Sequence, residues 1–267
     1  MEISWVFAPS FARSSKPYHM RYFHTLLVTF FSFAIHAQNV FIQKAIVTVE
    51  NIDSFIVFDK IFEKNETRPA PPNKASFEFK NGTRKILFIA GHATAHRREG
   101  DVKSADAGTG ALALMLNKLL NVPVLYTTFL SESDPNFEDN NAFKDSLAKI
   151  VLKLKPIFVI DLHTSNASRP YEVDFGTMNG ISFLKRKDLL DKLKVIFKNE
   201  GFINQSQDFF SASENKTITK FLHKRNVPCI QLEINANSLT ADKGNLQAQR
   251  TAQLLQALIR FVNASPS

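Results

Sequence analysis

The chain has 267 residues, 44% of them hydrophobic, which suits one large domain with a full core or one domain with a small appendage. Its formal charge of +8 and pI near 9.5 raise the question of nucleic acid, but the lysines are scattered and no basic run with interleaved aromatics occurs, so no nucleic-acid partner is expected. The single cysteine, Cys229, lies in an apolar run after Pro228; this excludes a disulfide framework or a thiolate metal cluster within one chain.

Residues 1–37 read as an upstream extension followed by a secretory signal peptide. Met20-Arg21-Tyr22-Phe23-His24 carries a basic residue, Leu26 to Ile35 is apolar apart from Thr29 and Ser32, and Ala37 before Gln38 offers a small residue for cleavage. The apolar core is about ten residues, short of the ~20 that a permanent span needs, so no stable membrane insertion is expected. An uncleaved anchor is the competing reading, and translation could start at Met1 or Met20. The expectation is a secreted or periplasmic protein cleaved near Ala37. Removal would take His19, His24 and His36 and leave His92, His96, His163 and His223.

Residues 38–267 are expected to form a single α/β domain. Within it, residues 38–82 read as an N-terminal β segment and hairpin. Val40-Phe41-Ile42, Ala45 to Val49 and Phe55-Ile56-Val57-Phe58 are apolar runs, and Glu63 to Lys74 is a loop marked by Pro69, Pro71 and Pro72. Ser76 to Lys80 alternates with period two before Asn81-Gly82, a hairpin signal leading into a strand over Lys85 to Ala90.

Beyond Asp106 helical and strand patterns alternate. Gly110 to Leu120, Phe143 to Leu154, Lys187 to Glu200, Thr217 to Arg225 and Asn245 to Val262 have helical spacing, while Val122 to Thr127, Ile157 to His163 and Pro228 to Ile234 read as strands. This order predicts an α/β fold with a mixed, mainly parallel sheet flanked by helices.

Three apolar strands end in polar residues: His92, His163 and Glu233. In open α/β sheets such residues gather in the crevice outside the carboxyl ends of the strands, so they can converge although far apart in sequence. His92 and His163 are therefore candidate metal ligands and Glu233 a candidate catalytic base. Asp161, two residues before His163 on the same strand face, is a candidate to orient the imidazole or to bind metal beside it. Asp106 is either a first-turn acid of the following helix or, with Thr109 as the cap, free to face the pocket. His96 is a second alternative ligand, Arg97, Arg98, Lys103 and Arg169 are candidate contacts for a substrate carboxylate, and Asp161 and Glu99 are reserve candidates for the base.

The run from His92 through His96-Arg97-Arg98-Glu99-Gly100 to Asp106-Ala107-Gly108-Thr109-Gly110, with Ile160-Asp161-Leu162-His163, Asp174-Phe175-Gly176-Thr177 and Gln231-Leu232-Glu233-Ile234-Asn235, resembles the N-formylglutamate amidohydrolase family. The likeness covers roughly residues 85–259. It implies a phosphorylase/hydrolase-like, zinc carboxypeptidase-like fold, with Zn2+ at the carboxyl edge of the sheet and hydrolysis of an amide next to a carboxylate. The His-x-x-Glu pair of the carboxypeptidases is missing, so the resemblance leaves the acidic ligand to Asp106, with Asp161 and His96 as rivals. The expected partner is a small molecule or peptide with a free carboxylate. A cell-wall N-acetylmuramoyl-L-alanine amidase type of enzyme and a non-catalytic peptide- or wall-binding module are the alternatives.

Overall fold

The structure is a computed structural model and describes residues 44–266; the signal-peptide reading and the Val40-Phe41-Ile42 run lie outside these residues. A compact unit begins at Ala45. Helix α1 (Val49–Asn65) is followed by β1 (Phe77–Lys80), β2 (Ile86–Ala90), the short pair β3 (His96–Arg98) and β4 (Asp101–Lys103), α2 (Thr109–Leu120), β5 (Val124–Thr127) and α3 (Ala142–Leu154). The second half runs β6 (Phe158–Ser165), β7 (Val173–Gly176), α4 (Lys187–Asn199), β8 (Gln205–Gln207), α5 (Ile218–His223), β9 (Cys229–Asn235) and α6 (Asn245–Asn263).

Seven strands form one sheet in the order β1-β5-β2-β6-β9-β7-β8. The centre, β5-β2-β6-β9, is parallel, whereas β1 runs antiparallel to β5 and β7 antiparallel to β9. This is the expected mixed, mainly parallel sheet flanked by helices. Alternate residues of the central strands enter two cores. Ile86, Phe88, Ile160, Leu162, Ile230 and Leu232 pack with α1, α2, α4 and α6, while Leu87, Ile89, Val159 and Cys229 pack with α3 and α5.

The N-terminal β segment is corrected: residues 49–65 are a helix. Thr48 caps it, accepting from the Asn51 amide at 3.4 Å while Asn51 Oδ1 accepts from the Thr48 amide at 3.0 Å. The buried residues Ile52, Phe55, Asp59 and Phe62 recur at helical spacing, and the Phe55 to Phe58 run that suggested a strand is one stretch of this helix. Helix and strand cannot be separated in so short an apolar run without its partner, which here is α2. The expected hairpin at Asn81-Gly82 is also absent, since β1 pairs with β5 and not with β2. Gly82 is needed there for close packing: a Cβ would lie 2.3 Å from the Asn121 carbonyl oxygen.

Candidate metal centre and its surroundings

The site grows out of one face of the sheet. On β6 that face carries Val159, Asp161, His163 and Ser165, and on β9, in parallel register, it carries Cys229, Gln231, Glu233 and Asn235. The amino-terminal members are core, covered by α3 and α5, and the carboxyl-terminal members are polar and buried. From β7, Asp174 sits directly opposite Glu233. Burying a row of this kind is costly unless most of its polar atoms find partners.

His92 follows β2 in a loop that folds back until the Asp106 amide donates to the His92 carbonyl at 2.7 Å. The loop then enters α2 through Gly108, at φ 80°, where any Cβ would meet Leu239 at 2.7 Å. Gly108 and not Thr109 is the cap residue of this helix; Thr109 Oγ1 donates to the Asp106 carbonyl, and the Asp106 carboxylate faces the two histidines. Its Oδ2 lies 2.7 Å from His163 Nδ1 and 3.6 Å from His92 Nδ1. These three side chains can each offer one atom to a single cation.

The other ring nitrogens determine what those Nδ1 atoms can do. His92 Nε2 lies 2.8 Å from Asp134 Oδ1, and His163 Nε2 lies 3.1 Å from Asp161 Oδ2. Asn136 Nδ2 also lies 3.2 Å from His163 Nε2, but an amide nitrogen only donates, so the buried Asp161 carboxylate is the acceptor that holds the imidazole proton there. With both Nε2 protons committed to Asp134 and Asp161, both Nδ1 lone pairs converge on the Asp106 carboxylate. Two lone pairs and a negative oxygen repel each other unless a cation or extra protons lie between them, so the donor set fits a divalent metal.

The electrostatics agree. Burial opposes charging His92, but hydrogen bonding to Asp106 and Asp134 outweighs it and raises its pKa to about 9. His163 is likewise raised well above its usual range, burial being overcome by Asp161 and Asp106. Despite their own burial, Asp106 and Asp134 are held far below the usual carboxylate range by the histidines beside them. The protein has built a place for positive charge.

Asp134 was not singled out in the sequence, and it is the hub of the outer layer. The loop after β5 supplies it, and Asp134-Pro135-Asn136 at the carboxyl edge of a strand was the one signal that could have found it. It is fully buried, accepts from Arg98 Nε at 2.6 Å and lies 3.3 Å from His96 Nε2. The His96 ring stacks on His92 with centroids 3.9 Å apart. His92, His96 and Asp134 could also surround a cation, but the Arg98 guanidinium already neutralises Asp134, so this outer triad supports His92 from behind.

The other expected residues disperse. Arg97 pairs with Glu132 at the surface, and Lys103 pairs with Asp101 beside the β3-β4 turn. Glu99 is an exposed residue of that turn with φ 52°. Arg169 stacks over Phe209 and Phe210, with no carboxylate in ion-pair range among the described residues. Those two phenylalanines are fixed by Asp174, which accepts from both of their amides at 3.1 and 2.9 Å.

Glu233 is 9% exposed and accepts from Gln231 Nε2 at 2.7 Å. Burial raises its pKa to about 7, against the attraction of His163. Asn235 Nδ2 donates to the carbonyls of Ala167 and Tyr171, fastening the loop that carries Arg169. Beside it the hydroxyls of Ser165 and Tyr171 are buried. Gln231 also lines a cavity of about 350 Å³ with Phe209, Phe210 and Thr217.

Known proteins share this architecture. No family model matches the chain, and no curated protein matches it in sequence. Among solved structures it is similar to gene product Atu2144 from Agrobacterium tumefaciens, with a TM-score of 0.53, 12% identity and coverage of 71% of this chain and 94% of that one. It is similar to the N-formylglutamate amidohydrolase from Ralstonia eutropha JMP134 with the same score and identity, over 71% of this chain and 98% of that one. At this identity the likeness establishes the fold.

Proposed function

We propose that this chain is an exported, metal-dependent amide hydrolase acting on an N-acyl amino acid or peptide whose scissile amide lies next to a free carboxylate. The observation that carries the reading is the pair of histidines, each with Nε2 on a buried carboxylate and Nδ1 turned to Asp106, next to a buried glutamate on the adjoining strand. The shared fold with an N-formylglutamate amidohydrolase supports the same reaction class. His92, Asp106 and His163 would hold the metal, zinc by the character of the ligands. When bound, it would polarise the scissile carbonyl and acidify water at neutral pH.

The protein's own groups do the rest. Glu233 removes a proton from the attacking water as the C–O bond forms and then passes it to the nitrogen as the C–N bond breaks, so the amine leaves neutral. Asp134 and Asp161 keep both imidazoles in the tautomer that presents Nδ1. Arg169, cationic and free of carboxylate partners among the described residues, is the group best suited to a substrate carboxylate.

Metal analysis of the purified protein followed by release assays on N-acyl glutamates and on short peptides with a free carboxylate tests this. The expected result is about one zinc per chain and hydrolysis of at least one member of the panel. Tight binding of a panel member without turnover would replace the enzyme reading with a binding module, and cleavage of wall fragments alone would favour the muramoyl-alanine amidase type.

A further inference from the structure

Two of the three groups facing the proposed cation come from one loop, residues 91–108, so the metal site depends on how that loop's two limbs are spaced. Glu66, the cap residue at the carboxyl end of α1, touches both limbs. Its carbonyl accepts the Ala95 amide at 3.1 Å on the His92 side. Its Oε1 accepts the Ala105 amide at 3.1 Å, one residue before Asp106. Among the described residues no cation pairs with the Glu66 carboxylate, so the fixed interaction of this side chain is with the ligand loop. From the same helix, Asp59 Oδ1 accepts the Gly108 amide at 3.1 Å, so α1 holds the chain on both sides of Asp106.

We propose that Glu66 is a positioning residue for the metal site, setting the place of the Asp106 carboxylate between His92 and His163. The inference rests on the metal-site reading above. Metal–ligand distances tolerate only about 0.2 Å, and an acceptor that fixes the peptide before a ligand limits how far that ligand can drift. Without the acceptor, the Ala105 amide must find water, and the loop gains freedom at the point where Asp106 leaves it.

The test compares zinc affinity, by competition with a chromophoric chelator, in the full-length chain, in Glu66→Gln and in Glu66→Met. Glutamine keeps an oxygen acceptor at the same reach, and methionine matches its length without one. Glu66→Met should bind zinc about 10- to 100-fold more weakly, the usual consequence of losing an outer support, while Glu66→Gln stays within about threefold of the parent. Melting of the metal-free proteins accompanies each titration, and the two variants should melt within a few degrees of each other. Equal affinity in the parent and Glu66→Met overturns the positioning role alone, as does an equal loss in both variants. Unfolding of metal-free Glu66→Met while Glu66→Gln stays folded also overturns it, because the acceptor would then be serving the fold. A parent chain that takes up no zinc overturns the metal site and this role with it.

Discussion

Glu233 and His163 are paired across β9 and β6, and their substitutions should fail in different ways. Glu233→Gln keeps the shape and the contact with Gln231 but cannot take a proton, so turnover should fall by roughly 10² to 10⁴ while zinc content and melting survive. Parental turnover in that variant would remove Glu233 from the mechanism. His163→Ala removes one of the three proposed ligands and should lose most of the zinc; equal metal in variant and parent would refute the assignment. The pH dependence of kcat/KM adds a third check. A base must be unprotonated, and burial raises Glu233 to about 7, so the rate should climb with pH along a limb whose midpoint lies at about 7 or lower, since a nearby cation favours the carboxylate. That limb should be missing from the residual activity of Glu233→Gln.

Helix α1 supports the site from its inner face. Phe62 packs so closely on the start of α2 that a Cβ on Gly110 would lie 2.5 Å from its ring, and Asp59 is buried where it holds the Gly108 amide. Burial, with Glu63 nearby, raises the Asp59 pKa to about 6. Between its unfolded value near 4 and that pH the folded state binds more protons than the unfolded one. Its ionisation therefore lowers stability as pH rises through this window, and the loss is complete above it. Asp59→Asn retains an oxygen for Gly108 and has nothing to ionise. Its stability gain should be on the order of 3 kcal/mol at pH 8 and vanish below about pH 4, as read by denaturant unfolding at the two pH values. A gain that persists at pH 4 would show that packing, not charge, is responsible.

For the molecule as a whole, a cation that binds only the folded chain must stabilise it. Zinc at 100 times its Kd contributes about 2.7 kcal/mol, which for a domain of this size is a rise of roughly 5–10 °C in Tm, reversible by a chelator. A Tm indifferent to chelation would mean that the cluster holds no metal in the folded protein. Export can be checked separately: N-terminal sequencing of protein from its native host should begin near Gln38, and an intact start on cytosolic material would contradict it.

The sequence by itself determined what depends on local periodicity. The central strands follow from short continuous apolar runs, which suit strands buried on both faces, the five helices after Asp106 follow from helical spacing, and His92, Asp161, His163 and Glu233 stand where the apolar runs end. Only the tertiary structure decided the matters that depend on which element meets which. Residues 49–65 are a helix because their apolar spacing finds α2, and β1 pairs with β5 rather than β2 because sheet order is a long-range choice. Asp134 carries only its place in a loop at the carboxyl edge of a strand as a signal, and an acid there looks the same whether it is solvated or buried against two imidazoles and a guanidinium. The same holds for Arg98, legible as a cation at the loop yet committed to Asp134, and for Glu66, which meets the ligand loop only once α1 has docked on α2.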